Sequence, residues 1–350
     1  MILDLKNRNI IQILRGIAII LVLLHHSIKE FTVPDSVNNF VYIIDMVHVN
    51  VFFVISGYLF QHSIKKYRKN GFKGFFLKKF KQLFVPYYFL TVIFALLIKA
   101  LCLNNHFEAF FSGAGYVPKS FLSIFLDPLY FNQPYFTSLW FVFVLFIYFI
   151  VSWFHSKKKI TIIELSLFGL IGILVNALLW QYIPDVVYKM FRYYFYFLLG
   201  RFLFTKYSFE IKISKHLIPI SFLCIALITV RVYTINLNDI MGVYARAFYV
   251  LFERMVFAIS GIIVLSVFAN LLRNGKYFGR LLVFIGNYSY AIYLLHNPWI
   301  IAVLSIALQK VCGYAFINIF VVALFGILIP IVLKKIYLLF SKKIYKGVEQ

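Results

Sequence analysis

Ten stretches of mostly apolar residues follow one another along this chain, near 10–29, 40–61, 82–103, 136–155, 160–179, 190–206, 215–234, 245–271, 281–304 and 314–334. Each approaches the roughly 20 residues that a helix rising ~1.5 Å per residue needs to cross a hydrocarbon core ~30 Å thick. A water-soluble fold has no way to bury that many. The composition agrees: 63% of the 350 residues are hydrophobic and 13% charged, against about 45–50% and about 25% in a soluble domain. Disorder is excluded by the same figures. The expected fold is all-α, a polytopic helical bundle of about ten transmembrane helices forming one domain over residues 1–350. No segment between the stretches is long enough for a second folded domain of ordinary size.

The net charge of +23 would suggest nucleic acid in a soluble protein. Here its distribution explains it. With a cytoplasmic N-terminus, 25 of the 35 basic residues fall in cytoplasmic segments, eight of them between Lys65 and Lys81. Such alternation is what membrane orientation by positive loops produces. Both termini are then cytoplasmic, and no nucleic acid partner is needed. The protein is expected in the cell membrane, as a multi-pass protein. Leu24-His25-His26-Ser27-Ile28-Lys29 follows the first stretch without a small-residue cleavage site, so that helix is retained rather than a signal peptide. The longest segment between spans, roughly 104–135, is rich in aromatics, Gly and Pro and is expected to be an ordered outer loop. Cys102, Cys224 and Cys312 give neither a metal spacing nor a disulfide framework.

Ionisable residues inside spans are costly unless paired or turned to an internal cavity, so they mark function. The first span holds Arg15, His25 and His26. Arg15 and His26, eleven residues apart, share one helix face with ~16 Å between them along the axis, whereas His25 points roughly 80° away from Arg15. This ranks His26 above His25. The alternative is that Arg15 snorkels to the inner surface while His26 sits at the outer interface. The second span carries Asp45, His48 and Asn50, then Ser56-Gly57-Tyr58 near its inner end. At i,i+3, Asp45 can hold a histidine tautomer for base catalysis or simply tie helices together. Ser56-Gly57 also permits ordinary close helix packing. Glu253 and Arg254 are adjacent, about 100° apart, and should serve different neighbours. His296 lies in the outer half of the ninth span, just before Asn297 and Pro298, and that proline should kink the helix and free a carbonyl. Trp140 enters from the outer end of the fourth span, where a belt tryptophan would also sit. Coincident depth matters more than any single residue: His26, Asp45, His48, Glu253, Arg254 and His296 all fall in the outer halves of their spans. A polar chamber is expected there.

Neither a phosphate-cradling glycine loop, a Gly-x-Ser-x-Gly elbow, a Cys-x-x-Cys nor a His-x-x-x-His pair is present. Residue type alone would let Asp45, His26, His48 and His296 ligate a metal, but no short-range spacing supports it, and no metal is predicted.

These residues also carry a likeness. Leu14-Arg15-Gly16-Ile17-Ala18-Ile19 followed by His25-His26, Phe52-Phe53-Val54-Ile55-Ser56-Gly57-Tyr58-Leu59, Leu139-Trp140-Phe141, and Ser289-Tyr290-Ala291-Ile292-Tyr293-Leu294-Leu295-His296 occur in that order. The set resembles the signatures of the acyltransferase family 3 membrane proteins. The resemblance implies about ten membrane helices and transfer of an acyl group, usually acetyl from cytosolic acetyl-CoA, to sugar hydroxyls of cell-surface or secreted glycans. Relatives often have Arg-x-x-Arg where this chain has Lys78-Lys79-Phe80-Lys81, and lysine holds a phosphate as a point charge rather than a bidentate fork. Many also read Gly-Val-Asp where this chain has His48-Val49-Asn50. Some carry a C-terminal extracytoplasmic hydrolase-like domain; the present chain is expected to have none.

Taken with the resemblance, the residues imply an O-acetyltransferase in which His26 acts as general base, histidine's unperturbed pKa of ~6.5 suiting that role at neutral pH. Arg15 and Asp45 complete the catalytic set. Arg15, Ser56, Gly57, Tyr58, Lys78 and Lys81 would meet the donor, acetyl-CoA. His48, Trp140, Glu253, Arg254, His296 and Asn297 would meet the acceptor or the oxyanion. The Lys65–Lys81 loop fits an anionic nucleotide and equally fits lipid headgroups. The expected partners are a glycan or lipid-linked sugar, membrane lipids and, through the pathway, polysaccharide-synthesis proteins. The competing class is a transporter or glycan flippase, whose permeation path would use the same buried charges. Inverted-repeat symmetry, which would favour transport, is not evident.

Overall fold

The computed structural model of the chain describes residues 5–104, 108, 120–130, 137–206, 216–237, 240–275 and 277–348. It is 87% helical, with no strand among the described residues. Most of the expected outer loop at 104–135 lies outside the described residues; its described portion is a short helix, Phe121–Tyr130.

Each of the ten apolar stretches is helical. Eight described helical runs are long and apolar enough to cross a membrane: Arg8–Lys29, Asp35–Lys69, Gly71–Leu101, Ile162–Leu179, Leu217–Thr234, Val243–Leu272, Phe278–Val311 and Ala315–Leu339. The other two are Trp140–Phe154, apolar but 15 residues long, and Asp185–Lys206, which is long enough but carries Lys189, Arg192 and Arg201. The chain is an all-α polytopic membrane bundle.

Local chemistry sets the boundaries. Thr161 and Glu164 form a reciprocal capping box at the start of Ile162–Leu179, satisfying two amides that the first helical turn leaves open. Gly71, at φ 67°, separates His48–Lys69 from Gly71–Lys79, a backbone that side-chain-bearing residues resist. A five-residue π-helical turn, Phe80–Phe84, then joins Gly71–Lys79 to Val85–Leu101.

The residues fall into two compact units, residues 1–62, 159–296 and 300–350 forming one and residues 63–158 and 297–299 the other. In the first, α1 (Leu5–Lys29) lies against α12 (Phe278–Leu295) with backbones nearly touching. A Cβ placed on Gly16 would sit 2.3 Å from the Leu282 carbonyl oxygen, and one on Gly286 would sit 1.9 Å from that of Gln12. Helix α3 (His48–Lys69) meets α9 (Asp185–Lys206) in the same way, Gly57 facing the Phe197 carbonyl and Gly200 that of Val54. Small residues at helix crossings are how membrane bundles gain packing that lipid tails would otherwise supply equally well. In the second unit, Phe76, Phe80 and Phe84 pack on Phe146, Phe75 stacks on Trp153 at 4.7 Å, and the Tyr87 hydroxyl donates to the Pro128 carbonyl at 3.0 Å.

One expected continuous helix is broken. The second span divides into α2 (Asp35–Asp45) and α3, with a turn at Met46–Val47. Side chains take up the carbonyls this exposes: His48 Nδ1 donates to Ile44 O at 2.8 Å and Asn50 Nδ2 to Met46 O at 2.6 Å. The kink expected at Pro298 is present, with Asn297 non-helical at φ −136°, ψ 130° between α12 and α13 (Ile301–Val311).

Candidate functional site

Four histidines from three helical segments meet inside the first unit. His25 and His26 end α1, His48 opens α3, and His296 follows α12. Their rings form a chain: His296 to His26 at 5.1 Å between centroids, His26 to His25 at 5.1 Å, and His25 stacked on His48 at 4.8 Å. His25, His48 and His296 are buried, whereas His26 keeps partial exposure. The close α1–α12 crossing brings His26 and His296 together, since each lies near the C-terminal end of its own helix. The α2–α3 break brings in His48, because its Nδ1 bond to Ile44 fixes the ring at the start of α3. His296 is held alike, Nδ1 donating to Tyr293 O at 2.6 Å. A carbonyl can only accept, so both rings donate from Nδ1, and in the neutral imidazole Nε2 is then the free acceptor nitrogen. Among the described residues, neither His296 Nε2 nor His25 Nδ1, both buried, has a hydrogen-bond partner.

Carboxylate and guanidinium groups border this cluster. One nitrogen of His25, one of His48 and a carboxylate oxygen of Asp45 lie within 4.8 Å of one another. Asp45 Oδ2 also receives Arg254 Nη1 at 2.7 Å, and the Arg254 guanidinium stands 4.5 Å over the Tyr42 ring. The adjacent Glu253 turns the other way and pairs with Arg231 of α10 (Leu217–Thr234). The two neighbours do serve different helices, as their 100° offset requires. Both acids lie beside a positive charge, which offsets the cost of burying a carboxylate in low dielectric.

Arg15 is half-buried on α1 and forms no hydrogen bond or ion pair among the described residues. His26 lies eleven residues further along the same helix, ~16 Å at an α-helical rise. Tyr58 is buried edge-on against Phe204, and Ser56 is half-buried. Gly57 abuts the Phe197 carbonyl, so helix packing alone accounts for the lack of a side chain there. Lys78, Lys81, Trp140 and Asn297 belong to the second unit. Lys78 and Lys81 are exposed, with the Lys78 ammonium 4.9 Å from the Tyr67 ring centre. Trp140 opens α7 (Trp140–Phe154), and the Asn297 carbonyl freed by the kink accepts a bond from Ser138 Oγ at 3.2 Å.

His25, ranked below His26 by its angle to Arg15, lies beside it in the middle of the ring chain. Tyr42 and Arg231, the further partners of the ion pairs, carried no signal of their own in the sequence. The depth argument held the clue to His25, because it lies level with His26.

Compared with protein-family models, the chain matches the acyltransferase domain over residues 8–335. No curated protein and no solved structure matches it.

Proposed function

We infer the reaction from what that match establishes: this chain belongs to the acyltransferase domain family and is a membrane acyltransferase. We propose that it moves an acetyl group from cytosolic acetyl-CoA to a sugar hydroxyl of a cell-surface or secreted polysaccharide. The observation that carries the reading is the company of His26, a partly exposed imidazole amid three buried ones, on the helix that also bears Arg15.

In this reading the sugar oxygen attacks the thioester carbonyl as His26 takes the hydroxyl proton. The tetrahedral intermediate collapses, the C–S bond breaks, and the proton passes from His26 to the departing sulfur. Acetyl ester and free coenzyme A are the products, with no net proton change. Asp45, beside His25 and His48, offsets the positive charge that forms transiently on the imidazole chain. Arg15, a guanidinium with no hydrogen bond or ion pair among the described residues, meets a phosphate or the pantetheine arm of the donor. Lys78 and Lys81 draw the anionic nucleotide from the cytosol. Arg254 is already committed to Asp45, which leaves it an encumbered oxyanion donor and favours its acting through that carboxylate.

Membranes holding the full chain, supplied with radiolabelled acetyl-CoA, test the assignment. His26→Ala should lower transfer to glycan by about 10²–10⁴-fold, the usual worth of a general base, while the protein still elutes as a folded species. Transfer within about tenfold of the parent would remove His26 from that role.

A further inference from the structure

Buried polar nitrogens without partners are expensive, about 1–3 kcal/mol each, and the imidazole cluster contains two, His25 Nδ1 and His296 Nε2. The ring that bears the first of these stands in a particular setting. His25 is 4% exposed and His48 3% exposed, and one nitrogen of each, with an oxygen of Asp45, falls within 4.8 Å of the other two. His48 has Nδ1 engaged by the Ile44 carbonyl, leaving Nε2 as its donor atom. That arrangement, one ring nitrogen anchored to a backbone carbonyl and the other bare, is how proteins orient metal-binding histidines.

We propose that His25, His48 and Asp45 form a binding site for a single divalent transition-metal ion of the zinc class. The donors are His25 Nδ1, His48 Nε2 and the Asp45 oxygen not held by Arg254. Tetrahedral zinc with bonds of ~2.0–2.1 Å sets its ligand atoms ~3.4 Å apart, so the present spread closes by less than about 1.5 Å, within the reach of small ring rotations. The ion satisfies the orphaned His25 nitrogen and joins α1 to the α2–α3 break beside His26. Arg254, at 2.7 Å from Asp45, weakens the carboxylate as a ligand, so the imidazoles dominate the site. Imidazole-rich sites select zinc, cobalt, nickel or copper and discriminate against magnesium and calcium. Sequence spacing conceals the site, because its donors come from three helical segments.

The proposal stands apart from the acyl-transfer reading, since its test measures metal rather than product. Tag-free full-length protein in detergent is equilibrated with zinc, washed free of excess, and its metal content measured by mass spectrometry. Cobalt(II) replaces zinc in a parallel sample for absorption spectroscopy. The expected result is one zinc per chain, a visible cobalt band characteristic of nitrogen and oxygen coordination, and a thermal midpoint that rises with zinc and returns with chelator. His25→Ala and His48→Ala should each weaken binding by more than the roughly 10–100-fold that second-shell changes cost. His62→Ala, at a histidine edge-on to Phe204 outside the cluster, should bind as the parent does. Substoichiometric metal in the parent, an unmoved midpoint, or full zinc content in both His25→Ala and His48→Ala would overturn the proposal. Should one of these variants fail to fold, the other variant and the parent's zinc-dependent midpoint still decide it.

Discussion

A methyl group added at Gly286 should cost both stability and turnover, and the structure sets the size of each loss. Its Cβ would lie 1.9 Å from the Gln12 carbonyl oxygen of α1, where ordinary contact begins at 3.4 Å. Both partners are backbone, so no side chain can swing aside, and α1 and α12 must part by about 1.5 Å at that level or shear by a similar amount. Overpacking of this kind costs about 1–3 kcal/mol, and the backbone-to-backbone clash puts Gly286→Ala near the upper end. The same displacement travels along the two helices that carry His26 and His296. Misplacing catalytic groups by about 1 Å can cost 10²-fold in rate, so transfer from radiolabelled acetyl-CoA should fall by about that factor even in the fraction that remains folded. Gly313→Ala is the matched control: nothing lies within 4 Å of a Cβ there, and its effect should stay within about 0.5 kcal/mol. Thermal unfolding in detergent and transfer in membranes, measured on both variants, give the comparison. If Gly286→Ala matched Gly313→Ala in midpoint and rate, the claim that this crossing sets the site's geometry would fail.

Other perturbations follow from the ion pairs and from the exposed Lys78 and Lys81. Removing Arg231 leaves Glu253, 4% exposed, without its countercharge; Arg231→Met should cost about 3–5 kcal/mol, and the double variant Arg231→Met/Glu253→Leu should recover most of it, as read by thermal midpoint. Reversing Lys78 and Lys81 to glutamate should raise the apparent donor KM by about fivefold per charge, near 1 kcal/mol each, with the acceptor KM unchanged. An unaltered donor KM would take both lysines out of donor capture.

Fold class was legible because hydropathy over windows of about 20 residues reflects the one solvent rule a bilayer imposes, that each spanning segment satisfies its own backbone. What that rule does not encode was less visible. The second span reads as one apolar run, yet it breaks between Asp45 and His48, because His48 and Asn50 offer side-chain donors to the carbonyls of Ile44 and Met46. Hydropathy averages over such exchanges. At the site, the depth grouping of His26, Asp45, His48, Glu253, Arg254 and His296 meets a structure in which the histidine rings adjoin one another and Arg254 reaches Asp45, while Glu253 turns to Arg231; angle about the axis gave no sign that His25 stacks on His48. Axial position survives packing almost unchanged, but a side chain's angular relevance depends on which helices surround it, and His25 finds His48 where a single helix viewed alone would give it lipid. The division of the chain into two compact units had no evident counterpart in the sequence, since both are built of apolar helices.

The π-helical turn at Phe80–Phe84 has its own consequence. Such a turn carries one more residue than an α-helical one, and each residue advances a helix by ~100°. Everything from Val85 onward is therefore clocked by that angle relative to Gly71–Lys79, although the phenyl rows Phe76, Phe80 and Phe84 still stack unbroken. Deleting one residue there would restore a plain α-helix of nearly the same length and hydropathy. It would also swing Tyr87 off Pro128 and turn the buried side of Val85–Leu101 toward the acyl chains, so in this span the residue count, as much as residue identity, decides which side chains face protein.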